Sequence, residues 1–493
     1  MAPVAVPLTD WWPRFHFTAP TGWLNDPNGL VRVDGRWHLQ YQYEWPRCWG
    51  HATSRDLFHW EHLPVALRPD ENGDCWSGGT VQDVRNTSGL FAGTAGGLVS
   101  VYTSQDPAAG QRISLASSAD GGRTWQKFSG NPILHRPQRD CRDPKVFWDP
   151  ERARWVMVLT EGRHLTFFVS SNLMDWRETG RFTPQGEPGV NGFECPDLFA
   201  LPVENRPGTV KWVLSASYLS GDNFAEPPGF GICAQRYYVG DFDGTVFTAE
   251  TGVESLRPLG HGPDEYAAIV WPRETSGARR TVLIGWMSHW GYAKQIPTQP
   301  WQGCLTLPRE LTLHEVAPRD WRIRQAPARE LCEQVPVRMG FSWDRLKKED
   351  GLRSLGHLRS GVIHAVLRPG ENSVVELEVF ASDQHRTAVG YDTAHEMLSF
   401  DRRNSGGPDF HPNFPGRSEA RLPLDAAGRL ELVIIIDQST VEIFDGKGEV
   451  YLSGLTFADR ASDGIGLQVK AGAIGIERLE LLSEREPGNR PTV

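Results

Sequence analysis

The sequence predicts an all-β protein, a five-bladed β-propeller followed by a C-terminal β-sandwich. Three observations predict it. Helical periodicity is scarce, and short alternating runs bounded by Gly, Pro, Asp and Asn dominate. One apolar strand pattern recurs five times. Near residue 315 the recurrence stops while strand patterns continue. A chain of 493 residues is also too long for a single core.

The recurring strand is Trp37–Tyr43, then Leu98–Ser104, Trp155–Thr160, Lys211–Ser217 and Arg280–Trp286, at starts 56 to 69 residues apart. A second signal follows the first three: a Ser, a turn residue, then a Trp, as Ser54 to Trp60, Ser118 to Trp125 and Ser171 to Trp176. Several strands per unit at this period describe propeller blades, here over residues 1–315. Residues 316–335 are polar with two Pro and read as a linker with one helical turn. Residues 336–493 return to strands at Ser373–Phe380, Leu430–Ile436, Thr440–Phe444 and Ala473–Leu482, a sandwich pattern. Asp401–Pro415 reads as a long irregular loop.

Composition narrows the function. The net charge of −10 is spread along the chain, which disfavours a nucleic-acid partner and suits a neutral ligand. Nineteen Trp supply both core and flat surfaces on which sugar rings stack. No apolar run reaches membrane-spanning length. The N-terminal residues Met1 to Leu8 lack a basic region, and Pro3 and Pro7 interrupt them, so a cytoplasmic protein without a signal peptide is expected. Seven Cys with wide spacing and no C-x-x-C predict reduced thiols rather than disulfides or zinc. Asp70 to Asp74 begins like a calcium loop but has Cys75 and Val81 where Gly and Glu belong, and His59 to His62 lacks further ligands, so no metal is expected.

Three acidic motifs carry the chemistry: Asn25-Asp26-Pro27, Arg142-Asp143-Pro144 and Glu194-Cys195-Pro196. They precede the first, third and fourth recurring strands by 11, 12 and 17 residues, so they occupy comparable points of three blades. Acids at comparable points converge on one end of the central channel. Converging carboxylates repel and their pKa values separate, giving the base-and-acid pair that glycoside hydrolysis uses. Arg142 beside Asp143 is expected to favour the charged form of that Asp, which makes Asp143 a poor acid. Glu194, with no adjacent cation, is the better acid, and Asp26 on its tight turn the better nucleophile. On residue chemistry alone, the same motifs equally describe three surface turns, because Asp-Pro is a common turn dipeptide.

The set of motifs resembles glycoside hydrolase family 32, the invertase, inulinase and levanase family. The resemblance runs through Trp23-Leu-Asn-Asp-Pro-Asn-Gly29, Trp49 to Trp60, Arg142 to Trp148, Glu194 to Phe199, Tyr237 to Phe247, Ile284 to Ala293, Ile296 to Leu311 and Asp437 to Ser453. It implies a propeller followed by a sandwich, and release of terminal β-fructofuranosyl units from sucrose or fructans. Asp26 would attack the anomeric carbon, Glu194 would be acid and then base, and Asp143 would hold sugar hydroxyls. The outcome would be retention through a covalent fructosyl-enzyme, without a cofactor. The resemblance also implies substrate contacts for Asn25, Gln42, Ser77, Arg142, Tyr266, Trp290, Trp45 and Trp49. A monomer or homodimer is expected.

The sequence departs from the family pattern in three places. Only Glu44-Trp-Pro-Arg-Cys48 separates Tyr43 from Trp49, about half the usual length. Ser77-Gly-Gly-Thr80 follows Trp76 where Ser-Gly-Ser after Phe is usual. Glu265 replaces an aromatic. These positions border the leaving group. The same chemistry also fits a fructosyltransferase, and an arabinan-active propeller enzyme or a fructan-binding protein are further alternatives.

Overall fold

The computed structural model describes residues 11–93, 96–136, 140–184, 192–219, 233–250, 256–272, 280–335 and 337–483; the N-terminal stretch read above for targeting lies outside them. Five antiparallel sheets form the propeller. Blade 1 runs through Gly22–Val33, Arg36–Tyr43, Cys48–Ser54 and Trp60–Leu67. The innermost strands of blades 2 to 5 are Asp74–Asp83, Cys141–Asp149, Gly192–Pro202 and Tyr266–Val270. The recurring sequence pattern falls on the second strand of each blade, which is buried on both faces and therefore the most continuously apolar. Trp301–Gln302 pairs in parallel with Gly22 and Trp23, and Thr18 bridges Cys304, which laces blade 5 to blade 1.

The Ser-to-Trp signal is one repeated turn between third and fourth strands. The indoles of Trp60, Trp125 and Trp176 donate to the carbonyls of Leu57, Gly122 and Leu173 at 2.9, 3.1 and 2.9 Å. The serine hydroxyl accepts a backbone N–H at Ser54, Ser118 and Ser170. In the third blade that serine is Ser170 rather than Ser171; two adjacent serines are indistinguishable until hydrogen bonds choose between them.

The expected linker is mostly sheet. Arg309–Ala317 and Asp320–Pro327 are the outer strands of blade 5, paired from Arg309 with Pro327 to Ala317 with Asp320. Polar residues there alternate with Leu311, Leu313, Trp321 and Ile323, so one face is buried and the other wet. The helical turn is Glu330–Gln334.

Two six-stranded sheets then form the sandwich. Their outer limits in sequence are Val337–Lys347 and Ala473–Leu482, and their inner faces meet in a core that includes Ile363, Leu377, Phe400, Ile434, Ile443 and Leu467. The sandwich grips the propeller with buried charge. The Asp437 carboxylate accepts N–H groups of Arg14, Phe15 and His16, and the His16 ring lies 2.9 Å from Asp437 and 3.1 Å from Glu442. Arg402, from the long loop, pairs with Asp264 at 2.5 Å and donates to the Tyr292 hydroxyl at 2.8 Å. All seven Cys are free thiols. Among the described residues no helix is long and apolar enough to cross a membrane.

Candidate active site

The three acidic motifs are bulges in the innermost strands rather than turns. Each of the five inner strands slips register at the same height: between Leu24 and Pro27, Trp76 and Gly78, Arg142 and Lys145, Glu194 and Asp197, and Tyr266 and Ile269. At three of these sites a non-glycine residue takes positive φ, Asp143 at 58°, Cys195 at 46° and Ala267 at 53°. A bulge sets two residues against one and re-aims their side chains. Proline survives here because, at the height of the bulges, the innermost strands have no ladder partner on their channel side among the described residues; the Trp301–Gln302 pairing reaches only Gly22 and Trp23. The dipeptide that signals a turn thus signals a bulged edge strand.

The bulges bring Asp26, Ser77, Asp143, Glu194 and Tyr266 to one end of the channel. The Ser77 hydroxyl donates to Asp26 Oδ2 at 2.7 Å, while Asp26 Oδ1 is buried and accepts nothing from the described residues. Thr103 donates to the Ser77 carbonyl at 3.0 Å and accepts the Asp143 backbone N–H at 2.8 Å, tying blade 2 to blade 3. Gly78 is required at the blade 2 bulge, since a Cβ there would stand 2.2 Å from the carbonyl oxygen of Val101 on the neighbouring strand of the same blade. Asp143 Oδ2 accepts the Cys195 N–H at 3.0 Å. The Cys195 sulfur lies 3.6 Å from Asp26 Oδ2 and 3.8 Å from Asp143 Oδ2, and burial, then the neighbouring carboxylates, push its thiol well above the ordinary range. It is therefore a packed thiol and not a nucleophile.

Arg142 favours the charged form of Asp143, as its position in sequence suggested, but it is shared with Glu194 and burial outweighs it. Its Nε lies 3.3 Å from Glu194 Oε1 and 3.8 Å from Asp143 Oδ2, with another arm on the Phe193 carbonyl. Burial raises Asp143, Arg142 pulls it down, and Glu194 and Asp26 raise it again, leaving it at about 7. Glu194 does have a cation beside it after all. Its pKa is still raised, by burial first, against the pull of Arg142 and with the charge of Asp26 adding to the rise. Glu194 Oε2 accepts the Tyr266 hydroxyl at 2.8 Å. Desolvation outweighs one arginine shared between two carboxylates, which favours a proton resident in the cluster near neutrality.

The remaining candidates separate. Asn25 is buried, its Oδ1 accepting from the Trp23 indole at 2.7 Å and from Arg47 at 2.6 Å. Gln42 donates to the Cys75 carbonyl at 3.0 Å and accepts from Arg47 at 3.3 Å. Trp290 stacks on Trp23 with ring centroids 6.1 Å apart. Trp45 stands at the rim, 56% exposed, with the Arg47 guanidinium 4.2 Å from its ring. Trp49 does not belong with them. It is fully buried, packs with Leu67, Cys75 and Tyr102, and donates its indole N–H to the Trp76 carbonyl at 2.9 Å. Alternation along its strand sends it into the space between blades, away from sugar. Glu265 turns from the site too, pairing with Arg309, whose guanidinium lies 4.1 Å from the Tyr451 ring. Sequence reasoning missed Arg47; the signal available was the shortened loop that contains it.

Beyond the carboxylates the channel is plugged. Lys145 Nζ lies 3.0 Å from Asp197 Oδ2 and donates to the Val270 carbonyl at 2.7 Å, crossing blades 3, 4 and 5. A cavity of about 550 Å³ occupies the opposite end, lined by Val31, Val81, Phe147, Leu198 and Trp271, and does not contain the acids.

Comparison with known proteins agrees with this architecture. Residues 16–327 match the Glycosyl hydrolases family 32 N-terminal domain, and residues 342–483 match the Glycosyl hydrolases family 32 C terminal domain. A levanase of Bacillus subtilis is 38% identical over 96% of this chain and 70% of its own length. An extracellular exo-inulinase of Aspergillus niger is 33% identical over 90% of this chain and 89% of its own. The crystal structure of exo-inulinase from Aspergillus awamori superposes with a TM-score of 0.89 at 30% identity, covering 96% of this chain and 98% of that one. With both of its domains matched and the fold shared throughout, the chain belongs to glycosyl hydrolase family 32.

Proposed function

We propose that this glycoside hydrolase releases terminal β-fructofuranosyl units from sucrose, fructo-oligosaccharides or fructans with retention, through a covalent fructosyl-enzyme. The observation that carries the reading is the meeting of Asp26, Asp143 and Glu194 at one end of the channel, with Arg142 3.3 Å from Glu194 and 3.8 Å from Asp143 and the Cys195 sulfur 3.6 Å from Asp26 and 3.8 Å from Asp143. The Asp26 carboxylate, oriented by the Ser77 hydroxyl, forms a bond to the anomeric carbon as the glycosidic C–O bond breaks. Glu194, whose pKa is raised, gives its proton to the departing oxygen. It then takes a proton from water, whose oxygen attacks the same carbon and frees Asp26. Asp143, tied to the Cys195 N–H, accepts hydrogen bonds from fructosyl hydroxyls and faces the positive charge that develops in the ring. The names of the relatives, levanase and exo-inulinase, support the substrate class. Membership in family 32 removes the arabinan-active alternative.

The test compares sucrose with an activated aryl fructoside. Glu194→Gln is expected to slow sucrose cleavage by about 10²–10⁴-fold, the usual worth of general acid catalysis, while sparing fructosylation by the activated substrate. Equal loss on both overturns the acid assignment. A product profile on sucrose, inulin and levan fixes linkage, and kestoses in place of free fructose would make the enzyme a transferase.

A further inference from the structure

The shortened loop places a cation at the mouth of the site. Residues 44–47 form a tight turn, and Tyr43 pairs directly with Cys48. The Arg47 carbonyl accepts the Cys75 N–H at 3.0 Å, so its backbone is fixed to blade 2. The side chain is only 8% exposed, and its guanidinium lies 4.2 Å from the Trp45 ring and 5.9 Å from the rings of both Trp76 and Trp290. Its Nη1 donates to Asn25 Oδ1 and Gln42 Oε1. Among the described residues, Nε and Nη2 have no hydrogen-bond acceptor, and no carboxylate lies within 4.0 Å of the head.

A guanidinium carries five N–H donors in a rigid fork, and here one nitrogen serves the protein. A buried cation without an ion-pair partner is costly unless something else accepts from it. The groups around it narrow that partner. Asp26, Glu194, Asp74 and Asp143 all contribute to the field at Arg47, so an anionic ligand would meet more negative charge than positive. A neutral polyol offers oxygen acceptors without that repulsion, and the flat faces of Trp45, Trp76 and Trp290 suit its apolar ring faces.

We propose that Arg47 is a substrate-binding residue of this chain, its open N–H groups donating to hydroxyls of the fructosyl unit held in front of Asp26. The inference rests on the fructosidase reading above. The short loop thereby exchanges a longer pocket rim for an arginine whose one arm orders Asn25 and Gln42 while the rest of the fork meets the sugar.

Two variants separate fork from charge. Arg47→Lys keeps the charge and loses the planar donors; Arg47→Met loses both. The readouts are the inhibition constant of free fructose against sucrose hydrolysis, its titration by tryptophan fluorescence, and the pH–rate profile. Both variants are expected to weaken fructose by tenfold or more, with the pH limbs of Arg47→Lys unmoved. Fructose affinity within twofold of wild type in Arg47→Lys, or a shift of the pH limbs without loss of affinity, overturns the proposal and makes Arg47 a charge balance only. Near-UV circular dichroism of Arg47→Lys checks folding independently of Arg47→Met. A wild-type enzyme that releases no fructose from any fructan overturns the parent reading instead, before variants are compared.

Discussion

Tyr266 on blade 5 donates its hydroxyl to Oε2 of Glu194 on blade 4 across 2.8 Å. That bond stabilises the charged carboxylate and so opposes the upward push of burial on Glu194. Hydrogen bonds to charged groups are worth about 1.5–3 kcal/mol, and one pKa unit corresponds to about 1.4 kcal/mol. Tyr266→Phe should therefore raise the pKa of Glu194 and carry the alkaline limb of the kcat/KM profile upward by about one unit. The pH dependence of sucrose hydrolysis measures it; a limb that stays in place or moves down contradicts the assignment.

Asp143 is a place where function costs stability. Its folded pKa of about 7 stands above the unfolded carboxylate value, so the native state holds its proton more tightly. As pH rises from about 4 through 7, the native state loses stability relative to one with a neutral side chain there. Asp143→Asn should abolish turnover and raise the melting temperature, with the gain absent near pH 4 and full above pH 7. Thermal melts at pH 4.5 and 8 test this; an equal gain at both would point to packing rather than charge.

His16 behaves in the opposite sense. Burial alone would drive its pKa down, but hydrogen bonds to Asp437 and Glu442 outweigh that and hold it at about 9. A histidine raised in the folded state stabilises fully below its unfolded pKa of about 6.5, and the stabilisation disappears as pH rises through 9. Denaturant midpoints of wild type should fall between pH 6.5 and 9, and His16→Gln should flatten that decline while lowering stability at pH 6. Because this group joins propeller to sandwich, the two transitions should also separate on the alkaline side.

Arg402 holds two segments that each end in the site. Asp264 lies two residues before Tyr266, and Tyr292 two residues after Trp290. Arg402→Gln leaves the Asp264 carboxylate buried without its cation, a change that costs about 3–5 kcal/mol in comparable cases. A marked fall in the urea midpoint is expected, accompanied by loss of kcat; retained stability would show that water replaces the guanidinium.

The sequence showed the strand repeat and the acidic motifs because both are local. Strand alternation and the apolar second strand of each blade follow from neighbours a few residues apart. Asn25-Asp26-Pro27 looked like a turn because Asp-Pro obeys the same backbone preferences at a bulged edge strand as in a loop. Trp49 looked sugar-facing because its motif neighbours are; only its register against blade 2 sends it inward. The outer strands of blade 5 looked like linker because one of their faces is solvent, so half their residues are polar.

By itself the sequence determined the fold class, the family and which three carboxylates meet, since each depends on residue identity and on a period the chain repeats. The tertiary structure alone decided which carboxylate Arg142 faces, that Asp143 is raised to about 7, that Ser77 holds Asp26, and that Arg47 enters the site. Those outcomes depend on distances across blades and on how much water burial removes. Neither quantity is carried by neighbouring residues, because groups 51 to 169 positions apart meet only when the ring of blades closes.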